Sequence, residues 1–262
     1  MPQPINKIVP SPDVFLDAKI LADKPDMAAL VCEIFAVWAK IEQELNFLFF
    51  LVLGADAAPA IAIYSELKTQ QLQNVALEAA AKAALSAEDY EYFKAAITVA
   101  NGAQTPRNHL AHWSWGGCRQ RPDLLALANP QMLRERDFRV AKHIAAKGIE
   151  EIDPMEVVSL HLFDDSEILA YSKADLERSL RDLREADFIL AYLRAFLNPK
   201  TLAIIAKSYQ GLDASHAEIR AAILEKLNDQ RLFREALAQI RASRKSTLQM
   251  PSGPHPPGSG AS

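Results

Sequence analysis

Cysteine is almost missing from this chain: Cys32 and Cys118 are the only two among 262 residues. They lie far apart and in no metal-like spacing, which excludes a disulfide framework and a thiolate zinc site and predicts a reducing compartment. No phosphate-cradling glycine loop, nucleophilic serine elbow or metalloprotease helix occurs, and Gly116-Gly117 reads as a turn at best. The longest uninterrupted apolar run, Phe47 to Leu53, is seven residues. About 20 are needed to span a bilayer, so no membrane association is expected. Between Met1 and Asp23 there are prolines and acids but no basic segment followed by an apolar core, so no secretory signal is expected. These absences together predict a cytoplasmic protein that carries no cofactor and no metal.

What is present is ordinary for a globular protein: half the residues are apolar, 24% are charged, and the formal net charge is −4. A chain of this length hides roughly 70% of its unfolded surface on folding, enough for a core without metal or disulfide support. Charge is unevenly placed. From Arg107 to Lys147, Arg107, Arg119, Arg121, Arg134, Arg136, Arg139, Lys142 and Lys147 face only Asp123, Glu135 and Asp137. Such a local excess can steer a polyanion whatever the net charge, although a solvated basic face has the same composition.

Helical periodicity dominates the rest. An irregular arm over 1–25 precedes a helix from about Met27 to Leu53, with Leu30, Ile34, Val37, Ile41, Leu45, Leu48 and Val52 on one face and Gly54 as its stop. A second helix is predicted from about Pro59 to Leu85. A third, capped by Ser86 with Asp89, runs to about Gln104, where Thr105-Pro106 predicts a kink or a fresh helix start. From Gly116 to Tyr171 the pattern weakens: Leu124–Leu127 and Val157–Phe163 look extended, and the latter is predicted to form a hairpin with Glu167–Tyr171. A clear stripe, Leu176, Leu180, Leu183, Leu190, Leu193 and Leu197, follows the cap Ser172/Asp175. Two further helices are predicted, Pro199–Tyr209 and Ser215–Ala242, before a Pro-, Gly- and Ser-rich tail expected to be disordered. The fold class is therefore all-α, divided into an arm (1–25), a helical bundle (26–198) carrying a small irregular or hairpin insertion, extra C-terminal helices (199–245) and a tail (246–262).

One segment is chemically loaded: Arg107-Asn108-His109-Leu110-Ala111-His112. On an ideal helix Asn108 and His112 share a face, whereas Arg107 and His112 differ by about 140° in direction. Arginine has the reach to rejoin them. A permanent cation, an amide and an imidazole suit metal-free cleavage of RNA: the imidazole moves the 2′-hydroxyl proton and the guanidinium holds the phosphate. DNA lacks that hydroxyl, so the chemistry would select RNA. His109, Trp113, Arg119 and Arg121 are candidate RNA contacts, although the large apolar area of Trp113 and Trp115 favours core packing or a dimer seam over base stacking. His109, His112 and Cys118 match no common zinc spacing. Glu42 and Glu44 are candidates to tune His112.

The six residues, set after a long helix in a helical chain, resemble the signature of the HEPN superfamily: arginine, a polar residue often asparagine, three variable residues and histidine. The resemblance covers about Met27 to Leu197. It implies an up-and-down helical bundle, a homodimer whose two motifs meet in one cleft, and toxin-antitoxin or antiviral RNA cleavage. Arg107 and His112 would be the catalytic pair and Asn108 the polar helper, with RNA as substrate and an antitoxin or other regulatory protein as partner. Some members of that superfamily bind partners without cutting anything, so a non-catalytic helical interaction module of the same fold is the alternative.

Overall fold

The computed structural model describes residues 2–147, 164–210 and 215–248. Among these residues helices predominate, as the periodicity predicts, and one small antiparallel sheet accompanies them. No single helix among the described residues is long and apolar enough to cross a membrane. Two compact units can be distinguished: 1–44 with 100–188, and 45–99 with 189–262. The boundaries therefore do not follow the expected division at 198/199. Each unit is described by itself.

The first unit holds the sheet. Its strands are β1 (Gln3–Pro4), β2 (Val14–Leu16), β3 (Ser114–Cys118), β4 (Arg121–Ala128) and β5 (Ile168–Tyr171), in the order β1-β5-β4-β3-β2. The arm read as irregular thus supplies both edge strands, β1 against β5 and β2 against β3. Ile5, Val9 and Ile20 from the same arm are buried. Strands of two and three residues are too short to show a period-2 pattern; their partners, not their propensities, make them strands. Of the expected hairpin, Ile168–Tyr171 is a strand and Val157–Phe163 lies outside the described residues, as does the tail beyond Leu248.

The pleat gives the sheet two faces. Leu124, Ala126 and Ala128 of β4, with Ile168 and Ala170 of β5, join Ile5, Val9, Cys118 and Met132 in one apolar cluster. Met132 belongs to the helix Pro130–Lys147 that follows β4 directly. The alternate residues Leu125 and Leu127 pair with Tyr171 and Leu169, and Leu127 also pairs with Trp115, so these side chains form the opposite face. Gly116 and Gly117, expected as a turn, are buried inside β3. The reason is a close approach: a Cβ on Gly116 would stand 2.1 Å from the carbonyl oxygen of Phe15 on β2.

The helices are α1 (Pro25–Leu53), α2 (Ala57–Glu66), α3 (Gln70–Ala84), α4 (Ala87–His112), α5 (Pro130–Lys147), α6 (Lys173–Leu197), α7 (Pro199–Gln210), α8 (His216–Asp229) and α9 (Arg231–Leu248). In α1 the expected stripe is buried at Ile34, Ile41, Leu45, Leu48 and Val52. Gly54 ends it with φ +59°, and its N–H donates to the Leu51 carbonyl at 3.2 Å. The single helix predicted from Pro59 to Leu85 is two, α2 and α3. Thr69 opens the second by accepting the Leu72 N–H at 3.3 Å, so the hydroxyl satisfies a donor that the break exposes. The predicted helix from Ser215 to Ala242 likewise divides at Gln230; a reciprocal Ser215/Glu218 box starts α8. Helix α4 is continuous through Pro106, so the motif occupies its last two turns rather than a fresh start.

In the second unit, Tyr92 meets Phe196 edge-on at 5.6 Å and the Phe233 ring at 6.5 Å. Arg220 lies 3.8 Å above the Phe196 ring and donates to Asp89 at 2.6 Å. Glu91 accepts from both Arg241 and Arg244 of α9. The C-terminal helices are thus anchored on the start of α4 by a small aromatic and ionic cluster.

Gly116→Ala is expected to lower stability by about 3 kcal/mol or more, because backbone rather than a movable side chain occupies the space. Thermal unfolding followed by circular dichroism measures it, and an unchanged Tm would mean that β2 does not sit where described.

Candidate functional site

The end of α4 rests on the sheet face formed by Trp115, Leu125, Leu127 and Tyr171. Leu110, 1% exposed, is the apolar anchor on the last turn. One residue earlier, Nδ1 of His109 lies 2.8 Å from the Tyr171 hydroxyl. The Trp113 ring covers the other side of that imidazole, centroid to centroid 4.4 Å. Trp115 donates its indole N–H to the Leu110 carbonyl at 2.9 Å, satisfying an oxygen left unpaired at a helix C-terminus. Burial pushes the His109 imidazole below its ordinary value and the fully buried Tyr171 phenol far above its own. His109 is therefore packed between Tyr171 and Trp113, and burial favours its neutral form. Trp113 is partly buried against it.

Arg107 turns toward α1. Its guanidinium carbon lies 5.6 Å from the centroid of the Trp38 ring and 5.9 Å from that of Phe35. Phe35 and Trp38 are three apart and share a face of α1. Trp38 is itself fixed: it is buried and its indole N–H donates to Glu42 at 2.6 Å. Glu42 thus acts on the motif through Trp38. Arg107 Nη1 donates to Oδ1 of Asn108 at 3.2 Å. The buried Nε–H of Arg107 has no acceptor, and no carboxylate pairs with this guanidinium among the described residues. His112, the last residue of α4, is exposed.

Of the expected trio, the structure brings Arg107 and Asn108 into contact. It does not join either to His112 by a hydrogen bond among the described residues. With α4 unbroken, the directions of Arg107 and His112 keep the separation of about 140° that an ideal helix imposes. The expected basic contacts are engaged elsewhere. Arg119 pairs with Asp13 at 3.1 Å, and Arg121 grips Asp123 with two bonds of 2.8 and 2.7 Å. Both stand at the β3–β4 turn, six or more residues beyond Trp113 and so about 20 Å along the strand from the motif at ~3.3 Å per residue. Glu44 acts on Asp187, whose carboxyl is raised chiefly by burial and then by that neighbouring acid. No group of three or more histidine, cysteine or acidic residues is placed to hold a metal among the described residues.

Phe35, Trp38 and Tyr171 were not singled out from the sequence. Trp38 belongs to an apolar helix and Tyr171 ends a short strand, and nothing in either context points to partners 69 and 62 positions away. Comparison of the chain with family models, curated proteins and solved structures gives no match.

The lowered His109 value has a pH consequence. Unfolded, this imidazole takes a proton near its ordinary pKa of about 6.5; folded, it does so only at lower pH. The unfolded chain holds more protons between the two values, so stability rises with pH there. The contribution of His109 is complete above about pH 6.5 and falls away as acid approaches the folded value. Thermal unfolding from about pH 7.5 to about pH 5 should show a declining Tm, with a shallower decline in His109→Gln. Equal slopes in the two proteins would place His109 in solvent.

Proposed function

We propose that this chain is a metal-independent endoribonuclease, of toxin or antiviral-defence type, built on a HEPN-like bundle. The observation that carries the proposal is the state of Arg107. A partly buried guanidinium ordinarily has a carboxylate beside it, because desolvating a charge without a partner is costly. Arg107 has aromatic faces and an amide instead, and it keeps a buried N–H unused. The missing partner is an anion, and a phosphodiester supplies one. An exposed imidazole, His112, ends the same two turns.

The chemistry needs no other group. His112 takes the proton of the ribose 2′-hydroxyl, the 2′-oxygen forms a bond to phosphorus, and the bond from phosphorus to the 5′-oxygen breaks. The products are a 2′,3′-cyclic phosphate and a 5′-hydroxyl, the departing oxygen taking a proton back from an imidazolium or water. Arg107 neutralises the charge that grows on the phosphoryl oxygens, and Asn108 aims the guanidinium. Because Arg107 and His112 of one chain diverge along α4, the arginine of one copy works with the histidine of a second. The active species in this proposal is a homodimer.

A second reading also has an observation behind it. Arg107 is already held by Phe35, Trp38 and Asn108, as a cation serving only to pack α4 on α1 would be. In that case the chain is a non-catalytic interaction module, and Arg107→Ala melts early without any activity having been lost.

Purified protein is expected to cut single-stranded RNA in EDTA and leave cyclic phosphate ends. His112→Ala, at an exposed position, should lower the rate about 10²-fold or more with an unchanged Tm. Arg107→Ala should lower it about 10²–10³-fold, and Arg107→Lys should not restore it because ammonium cannot reproduce the planar, stacked fork. Cleavage that requires a metal, or that survives both alanine substitutions, would remove the proposal.

A further inference from the structure

Helix α5 packs Met132, with Leu133 beside it, on the sheet face opposite the one that receives the end of α4, and Val140 further along the helix is also buried. Its outer side carries an unusual residue. Phe138 is 71% exposed, more than any other large apolar side chain among the described residues. Arg134 stands one turn before it, Lys142 one turn after it, and Arg139 beside it, all exposed. Gln131, Arg134, Glu135, Phe138 and Arg139 line an open groove along this side.

The helix carries five arginines and lysines against two acids. Asp137 is paired with Arg136 at 2.7 Å, and Glu135 accepts from the side chain of Gln131 at 2.9 Å. Asp164, bound mainly by the Ser166 hydroxyl and backbone, is the carboxylate that also feels Arg139. Arg134 and Lys142 have no ion pair among the described residues. An exposed ring costs solvation and is ordinarily buried; cations spaced on either side of one ring match phosphates flanking a stacked base. A lipid surface fits less well, since an interfacial helix presents a broad apolar face and α5 presents a single ring outward.

We propose that the outer side of α5 is a docking face for single-stranded RNA, with Phe138 stacking on a base and Arg134, Arg139 and Lys142 on the backbone. The proposal rests on RNA as the substrate of the preceding subsection. It adds a second point of attachment, across the sheet from the scissile bond, that holds RNA without cutting it. Sequence preference here is weak, because every base offers a stacking face.

The test uses the full chain carrying His112→Ala, so that the probe is not cut, and a fluorescein-labelled oligouridylate of about 20 nucleotides followed by anisotropy. Phe138→Ala should weaken binding about tenfold and Phe138→Trp should preserve it. Charge reversal at Arg134, Arg139 and Lys142 together should weaken it more than tenfold and reduce the slope of log affinity against log salt by about two. Tm should stay unchanged in every variant, since none of these side chains is buried. Affinity and salt slope unmoved by these substitutions overturn the docking face, as does flotation with vesicles of phosphatidylglycerol and phosphatidylcholine that Phe138→Ala abolishes. Binding that depends on α5 in a chain with no nuclease activity upholds the docking face and removes only the cleavage proposal; cleavage with no contribution from α5 does the reverse.

Discussion

A partly buried positive charge with no carboxylate beside it among the described residues is the constraint around which the end of α4 is organised. Arg107 meets it with the faces of Phe35 and Trp38, each contact contributing on the order of 0.5–1 kcal/mol at a half-exposed site. That arrangement works only while the rings stay put. Trp38 is buried and bound to Glu42, and the guanidinium is turned by Asn108. A salt bridge would hold the arginine more firmly but would also consume the charge. Aromatic support leaves the guanidinium without a carboxylate among the described residues and its buried Nε–H without an acceptor.

The sheet supplies the floor for that arrangement. Tyr171, Leu125, Leu127 and Trp115 point to one side and receive His109 and Leu110, so the last turn of α4 is fixed at a histidine that is not the exposed one. Two histidines three residues apart thereby take opposite roles. His109, facing the sheet, is partly desolvated, which favours its neutral form; His112, one turn on, faces solvent. The other side of the same sheet buries Met132 of α5, and the basic residues Arg134, Arg139 and Lys142 of that helix are exposed. Strand alternation is therefore what separates the motif from the basic helix.

The strands of the N-terminal arm form both edges of this sheet. An edge offers unpaired backbone groups to other chains, and β1 and β2, at two and three residues, keep those edges short. Their placement demands the absence of a side chain at Gly116, where the Phe15 carbonyl comes closest. A residue pair that resembles a turn in isolation is thus the seam by which the arm is attached.

Periodicity made the helices legible: the stripes of α1 and α6, the caps at Ser86 and Ser172 and the stop at Gly54 are all local consequences of side-chain spacing and terminal hydrogen bonding. The motif was legible too, as a list of residue types. Which of its members converge was not, since that depends on α4 continuing through Pro106, a choice that local proline chemistry disfavours and packing of Leu110 and His109 on the sheet rewards. The edge strands, the breaks at Thr69 and Gln230, and the aromatic seat of Arg107 belong to the same class. Amino-acid order alone determined where helices are favoured and which side chains carry chemistry; tertiary structure decided what each of them faces, because burial and pairing energies between distant segments exceed the few tenths of a kcal/mol by which local propensities differ.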